Sequence, residues 1–145
     1  MKSSWLYFDS SAYLKLYVKE NGSEEAKTIA KKNRIISSAI LLTECYSAIS
    51  RKKKMGEIKE VLFYDLTDRL KRDLKCLEIV RLTDEVLRKA EEIALNSTVR
   101  AMDALHVASA LIFLESSHFE LSFVTSDGKQ EKAARVFGLK TFLVS

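Results

Sequence analysis

Four acidic residues in this chain stand where acids are costly. Asp9 ends the apolar run of residues 5–8 in "WLYFDSSAYLKLYVKE", and Asp127 follows Thr125 and Ser126 in "LSFVTSDGKQ". Glu44 lies in "ILLTECYSAI" and Asp103 in "AMDALHVASALIF", stretches of apolar and small residues. Acids of exposed helices usually have Lys or Arg around them, as Glu91 and Glu92 do; Glu44 and Asp103 mostly do not. The neighbours of Asp103 predict deep burial, and a buried carboxylate must be paired, protonated or bound to a cation.

If the four converge, they repel: two carboxylates at about 4 Å cost on the order of 4 kcal/mol at an effective dielectric of about 20. Without a cation, one or more takes up a proton near neutral pH. Mg²⁺ or Mn²⁺, which prefer oxygen ligands, removes the conflict. Such a site binds phosphate, activates a bound water and stabilises charge in an in-line displacement, so it suits phosphodiester hydrolysis. Each acid also has a plainer reading. Asp9 and Asp127 can cap the helices that follow. Asp103 can pair with Arg100 one turn earlier, and Glu44 can bond Ser47 or a hydroxyl across the sheet.

The elements that must position these groups alternate between two periods. Residues 5–8, 34–38 ("RIISS"), 76–82 ("CLEIVRL"), 121–125 ("LSFVT") and 140–144 ("KTFLV") read as strands. Between them lie helical patterns. Ser10 or Ser11 caps a first helix carrying Ala12, Leu14, Leu16, Tyr17 and Val18, which Gly22 closes. A second starts at Ser23, with Glu24 and Glu25 at its positive end. Residues 39–54 form a third, ended by Gly56. Residues 57–75 form a fourth, with Ile58, Val61, Leu62, Leu66, Leu70 and Leu74 on one face. Thr83 caps a helix to about residue 95, residues 99–115 form the next, and residues 129–137 end at Gly138. Strand–helix alternation with near-continuous apolar strands predicts an α/β fold: a central, mostly parallel sheet of about five strands with helices on both sides. In such sheets ligands bind at the carboxyl ends of the strands, where strand order switches. Asp9 and Asp127 occupy strand ends of that kind.

The chain has 145 residues, enough for one domain over 1–145, and no linker interrupts it. It is 47% hydrophobic and 30% charged, with net charge +4, a balance compatible with a polyanionic partner. The absence of a leader pattern and of any apolar run near ~18 residues points to the cytoplasm and no membrane. Cys45 and Cys76 read as reduced core residues. Arg51, Lys52, Lys53 and Lys54 form a basic run: either a solvated helix end or a landing site for RNA phosphates. Tyr13, Tyr17 and Tyr46 read as packing residues with base stacking as the alternative, and His106, one turn after Asp103, reads as structural. Thr125, Ser126 and Arg100 are candidates for positioning water or substrate.

The blocks "YFDSSAYLKLYVKE", "ISSAILLTECYSAISRKK", "VRAMDALHVASAL" and "FVTSDGKQEKAARVFGLKTF" together resemble a PIN domain, in order and over almost the whole chain. The likeness is to the VapC-type toxins of prokaryotic toxin–antitoxin modules. It implies a three-layer α/β/α PIN-like fold and a metal-dependent endoribonuclease. It further implies a homodimer inhibited by an antitoxin protein. The family's metal-site carboxylates fall on Asp9, Glu44, Asp103 and Asp127, which would hold one or two Mg²⁺ or Mn²⁺ ions and carry catalysis on RNA. The rivals are a non-catalytic PIN-like module that binds RNA or protein, and a phosphoacceptor receiver domain. The receiver expects adjacent acids after the first strand, where this chain has Ser10 and Ser11.

Overall fold

In the computed structural model, which describes residues 4–145, five strands make one sheet. They are β1 (Ser4–Phe8), β2 (Arg34–Ser38), β3 (Glu78–Val80), β4 (Glu120–Thr125) and β5 (Lys140–Leu143), in the order β3-β2-β1-β4-β5. Every neighbouring pair is parallel, as covered α/β sheets require. β1 lies in the middle because it is apolar on both faces. Trp5 and Tyr7 point into one core, and Leu6 and Phe8 into the other. Burying each of the larger side chains contributes about 2 kcal/mol.

Among the described residues, seven α-helices cover the two faces: α1 (Ser10–Leu14), α2 (Ser23–Lys31), α3 (Leu41–Lys54), α4 (Glu60–Asp73), α5 (Asp84–Leu95), α6 (Ala101–Ser117) and α7 (Gly128–Val136). Residues of α5, α6 and α7 pack with Tyr7 and Phe123; residues of α1 to α4 pack with Leu6, Phe8 and Val124. The result is the expected three-layer α/β/α arrangement. After β3 the chain crosses to the far side of β1 to lay down β4, so strand order switches between β1 and β4. Their carboxyl ends are adjacent, with Phe8 opposite Val124 and the Asp9 N–H donating to the Val124 carbonyl at 3.1 Å.

Several expectations need correction. The first helix is shorter than the pattern suggested. Asp9, not Ser10 or Ser11, caps it, and the chain leaves through tight turns at Leu16 and Tyr17 bonded to the carbonyls three residues back. Gly22 starts α2 instead of closing α1. Its φ of 89° is left-handed, and a Cβ there would lie 2.9 Å from the Ser145 nitrogen. In α4, Leu66 and Leu70 are buried, but Val61 is 84% exposed and Leu62 is exposed too. The 3.6-residue period is real, and Ile58 ahead of the helix is buried too, but among the described residues nothing covers the stripe at Val61 and Leu62. Cys45 is buried as expected, whereas Cys76, on a short 3₁₀ turn before β3, is exposed. β3, at the sheet edge, keeps only three residues, since Cys76 belongs to the 3₁₀ turn before it.

Candidate functional site

Asp9 leaves β1 at the switch point and is 2% exposed. As N-cap of α1 its carboxylate accepts the Ala12 N–H at 2.9 Å. It also accepts the Ser11 hydroxyl at 2.8 and 2.9 Å and the Thr125 hydroxyl at 2.5 Å. Those hydroxyls in turn accept main-chain N–H groups from the other strand end. Ser126 donates to Ser11 Oγ at 3.1 Å, and Asp127 donates to Thr125 Oγ1 at 3.0 Å. One carboxylate therefore ties the β1–α1 joint to the β4–α7 joint. Burial raises the Asp9 pKa, and nearby His106 and the hydrogen bonds from Thr125, Ala12 and Ser11 oppose the rise.

A cleft of about 760 Å³ opens above this joint. Glu44 from α3, Asp103 from α6 and Asp127 before α7 line it, with Ser10, Ser11 and Thr43 beside them. Asp9 sits behind Ser11, outside the lining. Asp127 caps α7 through the Lys129 N–H at 2.9 Å. Asp103 stands at the third position of α6, where the backbone N–H of the cap residue Arg100 favours its charged form. It is half-buried rather than deeply buried. Burial raises its pKa, the Asp127 charge and then Glu44 add to the rise, and the Arg100 N–H and His106 oppose it. No ion pair joins Asp103 to the Arg100 side chain among the described residues. Glu44 does not use Ser47, whose hydroxyl accepts from Arg51 at 2.7 Å. Its partner is Nε2 of His106, and Nδ1 of that ring meets the Tyr7 hydroxyl at 2.7 Å.

The cleft also holds cations. Arg51, Arg100 and Lys129 line it, and none of them ion-pairs among the described residues. The rest of the basic run behaves differently. Lys52 pairs with Glu20 and Glu57, Lys53 pairs with Glu60 and sits 4.6 Å over the Phe63 ring, and Lys54 is exposed. Of the hydroxyl candidates, Thr125 and Ser126 serve the joint rather than the cleft wall. Sequence reasoning missed Ser11, Lys129 and the His106–Glu44 contact. Ser11 and Lys129 had a usable signal, since each stands two residues after an acid at a strand end.

Among the described residues, no three His, Cys, Asp or Glu side chains are grouped closely enough to hold one ion together. Mg²⁺ keeps several waters and is commonly held by one or two carboxylates. Glu44, Asp103 and Asp127 present hard oxygen donors to one space, and Asp103 carries the electrostatic cost of its acidic neighbours. That donor chemistry suits a hydrated divalent cation.

Over residues 6–136 the sequence matches the PIN domain family. No curated protein matches it in sequence. Solved structures do. VapBC2 from Rickettsia felis, bound to a DNA fragment from its promoter, is 19% identical with a TM-score of 0.66, covering 97% of this chain and 99% of that one. A toxin–antitoxin complex from Klebsiella pneumoniae is 19% identical, TM-score 0.61, covering 86% and 88%. VapBC-5 of Mycobacterium tuberculosis, a member of the VapBC family of toxin–antitoxin systems, is 15% identical, TM-score 0.57, covering 97% of each chain. At these identities the likeness is one of fold.

Proposed function

We propose a function from one established premise: the chain belongs to the PIN domain family. On our reading it is a metal-dependent endoribonuclease that hydrolyses RNA phosphodiester bonds. The observation that carries this is the cleft at the switch point, where Glu44, Asp103 and Asp127 face one space without a side-chain cation paired to Asp103 or Asp127. Arg51, Arg100 and Lys129 stand around the same space to receive phosphate.

Glu44, Asp103 and Asp127 would hold Mg²⁺ or Mn²⁺, one ion or two, with Asp9 completing the set from behind the Ser11 hydroxyl. A bound divalent ion supplies a more acidic water and stabilises charge on the scissile phosphate. The chain's own residues do the rest. Asp9 holds Ser11 and Thr125, and through them the backbone of Ser126 and Asp127, in register. Arg100, Arg51 and Lys129 draw the RNA backbone to the acids and make binding salt-sensitive.

Fold neighbours include toxin–antitoxin proteins, and that supports a toxin of a type II module working in the cytoplasm, as a homodimer of single-domain chains, restrained by an antitoxin. The second reading is a PIN-like module that binds RNA or protein without cutting. It is favoured by the saturation of Asp9, whose two oxygens already accept from Ser11, Thr125 and Ala12.

Purified protein is incubated with a structured RNA pool in Mg²⁺, in Mn²⁺ and in chelator, beside an Asp103→Asn preparation. Metal-dependent internal cleavage lost in the variant is expected. Equal cleavage by both preparations, or none by either together with no Mn²⁺ uptake, defeats the reading.

A further inference from the structure

Glu44 and His106 belong to opposite layers. Glu44 comes from α3 on one face of the sheet, and His106 from α6 on the other. Their side chains meet past the carboxyl end of the central strand, 62 residues apart in sequence. His106 is 1% exposed, and Tyr7 on β1 is fully buried. The Tyr7 ring is itself fixed: it stacks on Phe123 at 5.2 Å with 7° between planes and meets His106 edge-on.

A carboxylate only accepts, so His106 Nε2 carries the hydrogen that faces Glu44. Nδ1 then takes the hydrogen of the Tyr7 hydroxyl. With both nitrogens engaged, the ring cannot flip without breaking two bonds. The bond occupies Glu44 Oε1 alone and leaves the other oxygen of a cleft-lining side chain open. A free glutamate has several rotamers to lose when it ligates an ion, and a glutamate held in place has already lost them.

We propose that His106, clamped by Tyr7, is a positioning residue that presets Glu44 to offer one oxygen to a divalent cation in the cleft. This rests on the metal-dependent reading above. A histidine that merely filled the core would have no reason to end on the one acid of α3 that faces that space. The pairing of a buried imidazole with a ligand carboxylate is the kind of outer contact that sets ligand orientation.

The test uses the full chain with Mn²⁺ alone as probe, its uptake measured by calorimetry. His106→Leu removes the donor, and His106→Gln keeps an N–H near the Nε2 position. Expected is a roughly 10- to 100-fold loss of Mn²⁺ affinity for His106→Leu. His106→Gln should stay within a few-fold of wild type, and Tyr7→Phe should show a smaller loss of the same sign. In a Glu44→Gln background, His106→Leu should add little, because the two act through one contact. Wild-type affinity in His106→Leu, or an undiminished effect in the Glu44→Gln background, overturns the proposal. If His106→Leu does not fold, Tyr7→Phe decides, and unchanged affinity there overturns it. A wild-type chain that takes up no Mn²⁺ defeats the function reading itself and this proposal with it, and the wild-type titration alone shows which has failed.

Discussion

The sheet has a depression at each end. The one at the amino ends of the strands, about 530 Å³, is lined by Tyr13, Tyr17, Arg34, Asp73 and Lys75 among others. Several of its side chains answer one another. Tyr13 and Tyr17 share a hydrogen bond at 3.0 Å, Tyr17 donates to Asp73 at 2.6 Å, and Arg34 lies over the Trp5 ring at 5.0 Å. At the carboxyl ends, among the described residues, Asp127 accepts only the Lys129 N–H, Asp103 has no side-chain partner, and Arg51, Arg100 and Lys129 stand near them without pairing. Both ends carry charge. Only the carboxyl ends gather three acids (Glu44, Asp103 and Asp127) and three cations around one open cleft, an arrangement that a polyanion and a cation would complete.

The sharpest way to break this contrast is to neutralise one acid at each end. Asp103→Asn should lower RNA cleavage by about 10³-fold, on the order of 4 kcal/mol of transition-state stabilisation, measured as single-turnover rate. Asp73→Asn, at the other end, should leave the rate within about twofold. Comparable losses in the two would erase the distinction.

Stability should also separate the ends. Asp9→Ala strips a cap and leaves Ser11, Thr125 and a buried N–H short of an acceptor. A loss of about 3 kcal/mol in urea unfolding is expected. Tyr17→Phe removes two part-buried bonds, to Tyr13 and Asp73, and should cost about 1–2 kcal/mol.

The pH response follows from the raised carboxyls. In the metal-free chain Asp9 and Asp103 have higher pKa values folded than unfolded. Each therefore binds more protons in the native state between those two values. Their contribution to stability is present in full below about pH 4, the ordinary Asp range, and is lost as pH rises through the folded pKa. Denaturation midpoints in chelator should fall over that interval. Asp103→Asn should flatten the fall, and Mn²⁺ should oppose it by binding the ionised form. A midpoint that climbs with pH in chelator, for wild type and variant alike, would contradict the assignment.

The smallest effect concerns the basic run. Arg51→Ala should weaken RNA binding a few-fold and lower the salt slope by about one. Lys52→Ala should change neither, because Glu20 and Glu57 already hold that lysine.

That last pair shows where sequence reading stops. Strand ends were legible, because an apolar run buried on both faces has few alternatives, and so Asp9 and Asp127 could be placed at one sheet edge. Glu44 and Asp103 stood out as acids in apolar helices. What could not be read was who meets whom. Lys52 and Arg51 are neighbours in sequence, but only tertiary packing puts Glu20 beside one and the cleft beside the other. The same holds for His106, whose partner comes from the opposite layer, and for α4, where the apolar period was correct but Val61 and Leu62 meet no covering partner among the described residues.

The close approach at Gly22 reaches further than its own turn. Ser145 lies against Gly22, the adjoining Val144 N–H is bonded to the Thr125 carbonyl at 2.9 Å, and the hydroxyl of Thr125 holds Asp9. A methyl group added at residue 22 would push on the segment after the last strand and, through it, on the joint between the acid-bearing strands. A substituent that displaces Ser145 should therefore register at Asp9, and not at the last strand alone.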